Sequence, residues 1–346
     1  QSTVYSEEKA FYIAHCTLPN GASGNVGFFD RRSDLVKGDK ITLSGQLYAP
    51  ENTGFFNSAD YYRSMNVFLL MKSVRTSGYE IKEHNFYRTL DDFRHNVSDT
   101  IRKYVPSEEG ELLIGMIFGS SKWNMSDRTE NLLYRAGIGH VTAGSGLHMS
   151  VAAGIAAALA IALRLPKWGQ FISVTAVSLL FAMTAGFTPS VVRSLIMVMF
   201  VWAAGIFNRR SDSLTSLAAA IIIMTISSPF IVRSTSFLLS VSGTIGTAVL
   251  SPMFINAYEK KMERKTDLPY HVGALTSALC SSLCAAAAVF PVSALTFDQI
   301  SIASPLTNLL LSPLCTAAIA IAAIGALLCI LPFTFISGGL FLAAGL

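Results

Sequence analysis

Pro189-Ser-Val-Val-Arg193-Ser-Leu-Ile-Met-Val-Met-Phe-Val-Trp-Ala-Ala-Gly-Ile206-Phe207 carries a single charge along its whole length. A helix needs roughly 20 predominantly apolar residues to cross a bilayer, and this run supplies them. Its start is punctuated in the way helices require. Gly186 suits the end of a preceding helix, Thr188 can cap the next, and Pro189 fits a first helical turn. Polar residues follow it, Asn208-Arg209-Arg210-Ser-Asp212. Arg193 then lies about one turn inside an apolar helix. An Arg costs at least ~2.5 kcal/mol near a bilayer centre, so it is expected to face protein or a water-filled path. Pairing with backbone carbonyls is the plainer structural alternative.

Similar runs lie on both sides, at about 147–163, 168–186, 213–229, 234–256, 270–292 and 304–331, with a further one starting near 333. With 189–207 they predict seven to eight spans. The shorter Leu112-Leu-Ile-Gly-Met-Ile-Phe118 cannot span alone and is predicted to be a buried or re-entrant helix. Composition agrees. Apolar residues make up 51% of the chain and charged residues 14%, against roughly 25% charged in soluble domains. A soluble globular enzyme is excluded on that ground. Charge is also unevenly spread. Residues 1–110 hold 13 basic and 14 acidic residues, and 111–346 hold 13 and 8. The pattern is a polar head followed by a multi-pass helical membrane domain. Both ends look cut, because no Met opens the chain and Phe341-Leu-Ala-Ala-Gly-Leu346 stops inside an apolar run; further parts are expected at either flank.

Loop charges orient the spans. With the head outside, the inner loops hold Arg164, Lys167, Arg209, Arg210, Lys260, Lys261, Arg264 and Lys265, and the outer loops hold Arg233. Basic residues concentrate on the cytoplasmic side of membrane proteins, so this asymmetry predicts an extracytoplasmic head.

The head reads as strands over 1–79. In Lys40-Ile-Thr-Leu-Ser-Gly-Gln-Leu-Tyr48, Ile41, Leu43 and Leu47 alternate with polar residues, which is the period of a half-buried strand. Gly45 falls at an inward position and predicts a bend or a close backbone approach. Phe11–Cys16 and Asn66–Lys72 are further strand candidates. Several short strands in so few residues suit a small β-barrel of the OB-fold type. Net charge over 1–79 is +1, so any grip on nucleic acid would be local: the cluster Arg31, Arg32, Lys37 and Lys40, with Phe55, Phe56, Tyr61 and Tyr62 available to stack on bases. The segment 80–106 then predicts an amphipathic linking helix. Phe86, Leu90, Phe93, Val97, Ile101 and Tyr104 form one stripe, and Pro106 ends it. The transmembrane domain occupies 107–346.

Two further constellations lie where lipid penalises polarity. Gly139-His140-Val-Thr-Ala-Gly-Ser145-Gly-Leu-His148 opens the first span. Hydrogen-bonded histidines at a helix end are the plain reading. An intramembrane serine hydrolase with Ser145 as nucleophile is the sharper one, though Gly-x-Ser-x-Gly is missing because Ala143 and Leu147 occupy the glycine positions. No Asp, Glu or Cys accompanies the two histidines, so no metal site and no cofactor is expected. The other constellation is Phe237-Leu-Leu-Ser240-Val-Ser242, joined by Asp298 and by Pro305-Leu-Thr-Asn308. Such Ser and Asn residues ordinarily act as interhelical glue. The five cysteines form no C-x-x-C pair and read as packing thiols.

Taken in order, Gly139-His140, Ser145-Gly146-Leu147-His148, Gly186-Phe187-Thr188-Pro189-Ser190-Val-Val-Arg193, Asn208-Arg209-Arg210-Ser-Asp212, Phe237-Leu-Leu-Ser240, Ser301, Asn308 and Pro313 resemble the ComEC competence-protein family of DNA-uptake channels. Gly38-Asp39, Asn52-Thr-Gly54 and Tyr61-Tyr62 resemble its extracellular OB-type domain. The resemblance implies a bacterial cytoplasmic-membrane channel that passes single-stranded DNA inward during natural transformation. His140, Ser145, His148, Arg193, Ser240 and Asn308 would lie on the DNA path, and Arg209 and Arg210 at its inner mouth. Two departures stand out. The family's Phe-Gln-Leu-Ser is Phe237-Leu238-Leu239-Ser240 here, which removes a polar side chain at 238. No His-x-His-x-Asp motif of the metallo-β-lactamase-like nuclease domain occurs, so no enzyme activity is assigned to this chain.

A DNA strand bears a negative charge per nucleotide, and a low-dielectric layer demands a wet, cation-lined path for it. No ATP-binding loop is present in the sequence. A cytoplasmic ATPase, inner DNA-binding proteins or the proton gradient would drive movement, and an outer receptor would deliver the DNA. The main rival is a secondary transporter of a small anion that binds at the 186–189 break.

Overall fold

The computed structural model describes residues 3–4, 10–17, 23–30, 35–51, 58–80, 85–105, 108–119, 126–137, 139, 144–266, 273–297, 304–329 and 334–345. Residues 1–100 together with Met224–Ser234 make one unit; Ile101–Ile223 with Thr235–Leu346 make the other.

Five strands build the first unit: β1 (Thr3–Val4), β2 (Ala10–Thr17), β3 (Ser23–Asp30), β4 (Lys40–Tyr48) and β5 (Val67–Glu80). Their spatial order is β1-β2-β3-β5-β4. β3 runs parallel to β5 and the other pairs are antiparallel. In β2 the neighbouring residues Phe11 and Tyr12 are both buried, one toward each face of the sheet. Phe11, Val67 and Leu70 pack one layer with Tyr62 and Met65. Tyr12, Phe28 and Leu35 pack the other with Ile41, Leu43 and Met71.

β4 follows its alternation only as far as Ser44. Ile41 and Leu43 are half-buried, but Leu47 is 42% exposed, contrary to its expected inward position. The register shifts between Ser44 and Gln46, and this bulge turns the strand's second half outward. Gly45 does make the close approach its position predicts: a Cβ there would lie 2.7 Å from Met71 Cγ and 2.8 Å from the Lys72 carbonyl. β3 escapes the sequence reading because Ser-Gly-Asn-Val-Gly has no alternation. Its Gly27 is required by packing, since a Cβ would meet Leu70 at 2.7 Å and Phe11 at 2.8 Å.

A short helix α1 (Ser58–Ser64) and a 3₁₀ turn, Pro229–Arg233, complete the unit. Arg233 donates to Asp60 at 2.9 Å, Ser228 to Asn66 at 3.0 Å, and the Phe68 and Phe230 rings meet edge-on at 5.5 Å. Arg233 is half exposed, so its ion pair contributes only about 0.2–1 kcal/mol. The turn is held by the three contacts jointly. The predicted linking helix is α2 (Phe86–Tyr104), with Val97 and Ile101 fully buried.

The elements described after α2 are helices, the last residues of α8 counting with the first unit: α3 (Glu108–Phe118), α4 (Asp127–Ala136), α5 (Gly146–Ala162), α6 (Lys167–Thr184), α7 (Pro189–Ile206), α8 (Ser213–Ser227), α9 (Thr235–Ile245), α10 (Ser251–Thr266), α11 (Ala274–Phe297), α12 (Ser304–Leu328) and α13 (Thr334–Gly345). α3 is buried over Leu113–Phe118, in keeping with a short internal helix. Its Glu111 is ion-paired with Arg102 at 2.7 Å. Ala153, Ala156, Ala157 and Ala160 form a buried stripe on α5, and Ala153, Ala156 and Ala157 pack together with Val174 of α6. Small side chains allow such helices to approach closely.

Fewer helices reach spanning length than the apolar runs suggest. Among the described residues, four helices are long and apolar enough to cross a membrane: Pro189–Ile206, Thr235–Glu263, Ala274–Thr296 and Leu306–Leu328. α5 and α8 are apolar but shorter, α6 opens on Lys167 and Gln170, and α13 is 12 residues long. The Thr235 helix also outlasts its predicted end, because a π turn at Gly246–Leu250 joins α9 to α10 and the helix continues to Thr266. Lys260, Lys261, Arg264 and Lys265 therefore stand on a helix end and not in a loop. Basic residues there oppose the negative end of the helix dipole.

Candidate functional site

Three helices of the second unit bring polar side chains together. α5 begins at Ser145, whose extended backbone (φ −124°, ψ 174°) marks the N-cap. Its hydroxyl lies 2.8 Å from His148 Nδ1, and its backbone N–H donates to the same nitrogen at 3.3 Å. A backbone N–H can only donate, so Nδ1 is the acceptor of that bond. The Ser-His pair suggestive of a hydrolase is thus a reciprocal capping box. His148 is buried and lies parallel to the Phe181 ring, with centroids 6.3 Å apart.

α7 starts as its sequence implies. Gly186 takes a left-handed φ of +76°, which a side chain would strain. Phe187 N–H then donates back to the Ala182 carbonyl at 2.9 Å, and α6 ends. Thr188 occupies the N-cap, but not as expected: its hydroxyl makes no cap bond and has no partner among the described residues. The Thr188 carbonyl accepts from Val192 at 2.9 Å.

Ser190, Arg193 and Ser194 follow at positions i, i+3 and i+4 and so share one face. On α9, Ser240 and Thr244 do the same. The two faces meet. The Ser190 and Ser240 hydroxyls are 3.0 Å apart, and Arg193 Nη1 donates to the Thr244 hydroxyl. Nη1 also contacts Met197 Sδ at 3.4 Å, and Nη2 donates to Ser194 Oγ at 3.3 Å. Ser194 and Thr244 pass their own protons back to the carbonyls of Ser190 and Ser240, at 2.9 and 2.8 Å. α5 supplies the third wall: a Cβ built on Gly146 would lie 3.5 Å from Arg193 Nη2.

These groups form the polar end of a cavity of about 280 Å³. Gly146, Ser150, Arg193, Ser194 and Thr244 line that end; Met197, Val201 and Trp202 line the apolar wall. Arg193 is only 7% exposed. Its Nε has no partner, and its side chain makes no ion pair among the described residues. A buried guanidinium served only by hydroxyls and a thioether lacks a counter-charge. The arrangement can attract an anion.

Of the expected path residues, Arg193 lines the cavity; Ser240 meets Ser190 where α7 and α9 face each other, and Ser145 and His148 stand at the start of α5, these three not being among the described lining residues. Asn308 sits on the second turn of α12 and is not among the described lining residues. His140 lies outside the described residues, as do Phe55, Phe56, Arg31 and Arg32 of the expected head surface and Asp298 and Ser301. Lys37 Nζ stands 5.1 Å over the Tyr87 ring, and Lys40 pairs with Glu80 at 3.6 Å. Tyr61 and Tyr62 are half-buried and meet edge-on at 5.4 Å, with Tyr62 also against Phe11. Arg209 and Arg210 are exposed in the turn before α8. That turn ends at Asp212, whose carboxylate accepts from the Thr215 N–H at 2.9 Å and hydroxyl at 2.8 Å. Those bonds hold its pKa below the ordinary value. Ser190, Ser194 and Thr244 were not singled out from sequence, although their helical spacing to Arg193 and Ser240 is the signal that could have found them.

A family model described as Competence protein matches residues 116–346. No curated protein and no solved structure matches the chain.

Proposed function

Since the chain belongs to the competence protein family, known by its member ComEC, we propose that it is a membrane channel passing single-stranded DNA into the bacterial cytoplasm during natural transformation. The observation that carries this reading is Arg193, buried among apolar helices, without a carboxylate partner among the described residues and facing a cavity. A phosphate backbone is the anion that a DNA-uptake protein would present to it. The Ser190, Ser194, Ser240 and Thr244 hydroxyls extend the wet path, and Arg209 and Arg210 wait at its inner mouth. We assign no catalysis to the chain: the Gly-x-Ser-x-Gly pattern is missing around Ser145, where Ala143 and Leu147 occupy the glycine positions.

In this reading residues 1–79 are an OB-type head outside the inner membrane that holds incoming DNA. The strand order, with β3 parallel to β5, supports that assignment, although here the helix α1 precedes β5. Arg233, the basic residue of the outer loops, is held by Asp60 of the head, which supports an outside head. An outer DNA receptor and a cytoplasmic ATPase or DNA-binding protein would complete the system.

The small cavity favours one second reading, transport of a small anion. Uptake measured side by side separates the two: labelled DNA should enter cells in a manner dependent on this protein, and labelled phosphate or chloride should not. Flux of the small ions alone would replace the channel reading with the transporter.

Orientation has its own test. With the five native cysteines replaced, Ser58→Cys should react with an impermeant maleimide on intact cells, and Ser211→Cys should react only after lysis. Reversed labelling would overturn the inward direction of transport.

A further inference from the structure

Resting on the channel reading, we infer that the Arg193 cavity is a station for one phosphodiester group of the DNA backbone, held without reference to its base. Every polar side chain at the described lining is a donor or a hydroxyl: Arg193, Ser150, Ser194 and Thr244. Ser150 donates to the Gly146 carbonyl at 2.8 Å, so this end of the cavity is built by the first turn of α5. The positive feature there is the Arg193 guanidinium. The absent side chain at Gly146 keeps that turn open to Arg193. Arg193 itself is spent on weak partners. A thioether sulfur is a poor acceptor, a hydroxyl is a neutral one, and Nε is buried with none. A phosphate oxygen would bond more strongly, because both partners would be ionised.

At about 280 Å³ the cavity has room for a small group. A phosphate with its flanking sugar carbons suits it, the carbons lying on Met197, Val201 and Trp202. Contacts to phosphate carry no sequence information, so the station is indifferent to base.

Trp202 provides the readout. The full chain in detergent, with Trp123→Phe and Trp168→Phe, leaves Trp202 as the only tryptophan. Iodide, an anionic quencher, should quench it more than neutral acrylamide does. Dimethyl phosphate, short oligothymidylate and short oligodeoxyadenylate should each protect it from iodide, the two oligonucleotides equally. Losing a charged hydrogen bond should weaken protection by about tenfold or more in Arg193→Gln, and Arg193→Lys should keep part of it. Melting temperature read on the same samples separates misfolding from lost binding.

No protection by any phosphate would overturn the station, as would equal protection in wild type and Arg193→Gln. Protection by phosphatidylglycerol micelles but not by oligonucleotides would assign the cavity to a lipid headgroup and overturn it as well. A wild-type protein that is not protected, paired with an uptake defect in Arg193→Gln, removes the station and leaves the channel. Protection with normal uptake in that variant leaves the station and removes the channel role.

Discussion

Arg193→Leu is expected to abolish DNA uptake while the protein accumulates and inserts normally. Leucine at a span centre is favourable by about 0.3–0.6 kcal/mol, where arginine costs about 2.5–3.5 kcal/mol, so the substitution does not penalise insertion. It does remove the cation that the described lining places at the polar end of the cavity. Charged hydrogen bonds contribute about 1.5–3 kcal/mol each, and losing them from a phosphate corresponds to roughly a ten- to hundredfold or greater loss of uptake. Arg193→Lys should be intermediate. Lysine keeps a point charge but loses the planar fork that reaches Thr244 and Ser194 together. Transformation frequency measured beside membrane abundance reads both effects. If Arg193 only braces α7 against α9, both variants will lose folded protein in proportion to uptake. A well-expressed Arg193→Leu protein with normal transformation would remove the residue from the mechanism.

Gly246→Ala is the other large expected effect, and it acts on folding. Gly246 opens the π turn after Thr244, and a Cβ there would lie 2.6 Å from the Cys284 carbonyl and 2.7 Å from Ala285 Cα. Both obstacles are backbone, so no rotamer change relieves them and α9 must move away from α11. Overpacking of this kind costs about 1–3 kcal/mol. The melting temperature in detergent should fall, and uptake with it, because the same shift draws Thr244 from Arg193. Gly243→Ala, one turn earlier, is the control. Its Cβ would meet Val289 at an ordinary 3.5 Å, and replacing a mid-helix glycine by alanine gains about 0.5–1 kcal/mol. Opposite signs at 243 and 246 would establish that close backbone approach, and not helix propensity, makes Gly246 necessary. A neutral Gly246→Ala would refute it.

Much of the architecture could be read from pattern alone because the patterns are local. The stripe from Phe86 to Tyr104 became α2, the Thr188-Pro189 start became the start of α7, and the alternation of Ile41 and Leu43 became β4. β3 could not be read that way. Its Gly27 is demanded by Phe11 and Leu70, which are distant in sequence, so no local period announces the strand. Leu47 failed for a related reason, since a bulge against β5 reversed a face that alternation alone would have kept.

By itself the sequence determined the apolar helices, the polar strand-rich head and the burial of a lone cation near the start of α7. These follow from composition and from periods spanning a few residues. Only the tertiary structure decided that Arg193 meets Thr244, 51 positions away, that Ser190 meets Ser240, 50 away, and that Gly146 of α5 closes the third side. The physical reason is that helical periodicity specifies which side chains share a face. Which neighbouring helix that face meets is set by shape complementarity between elements remote in the chain, such as the close approach at Gly246.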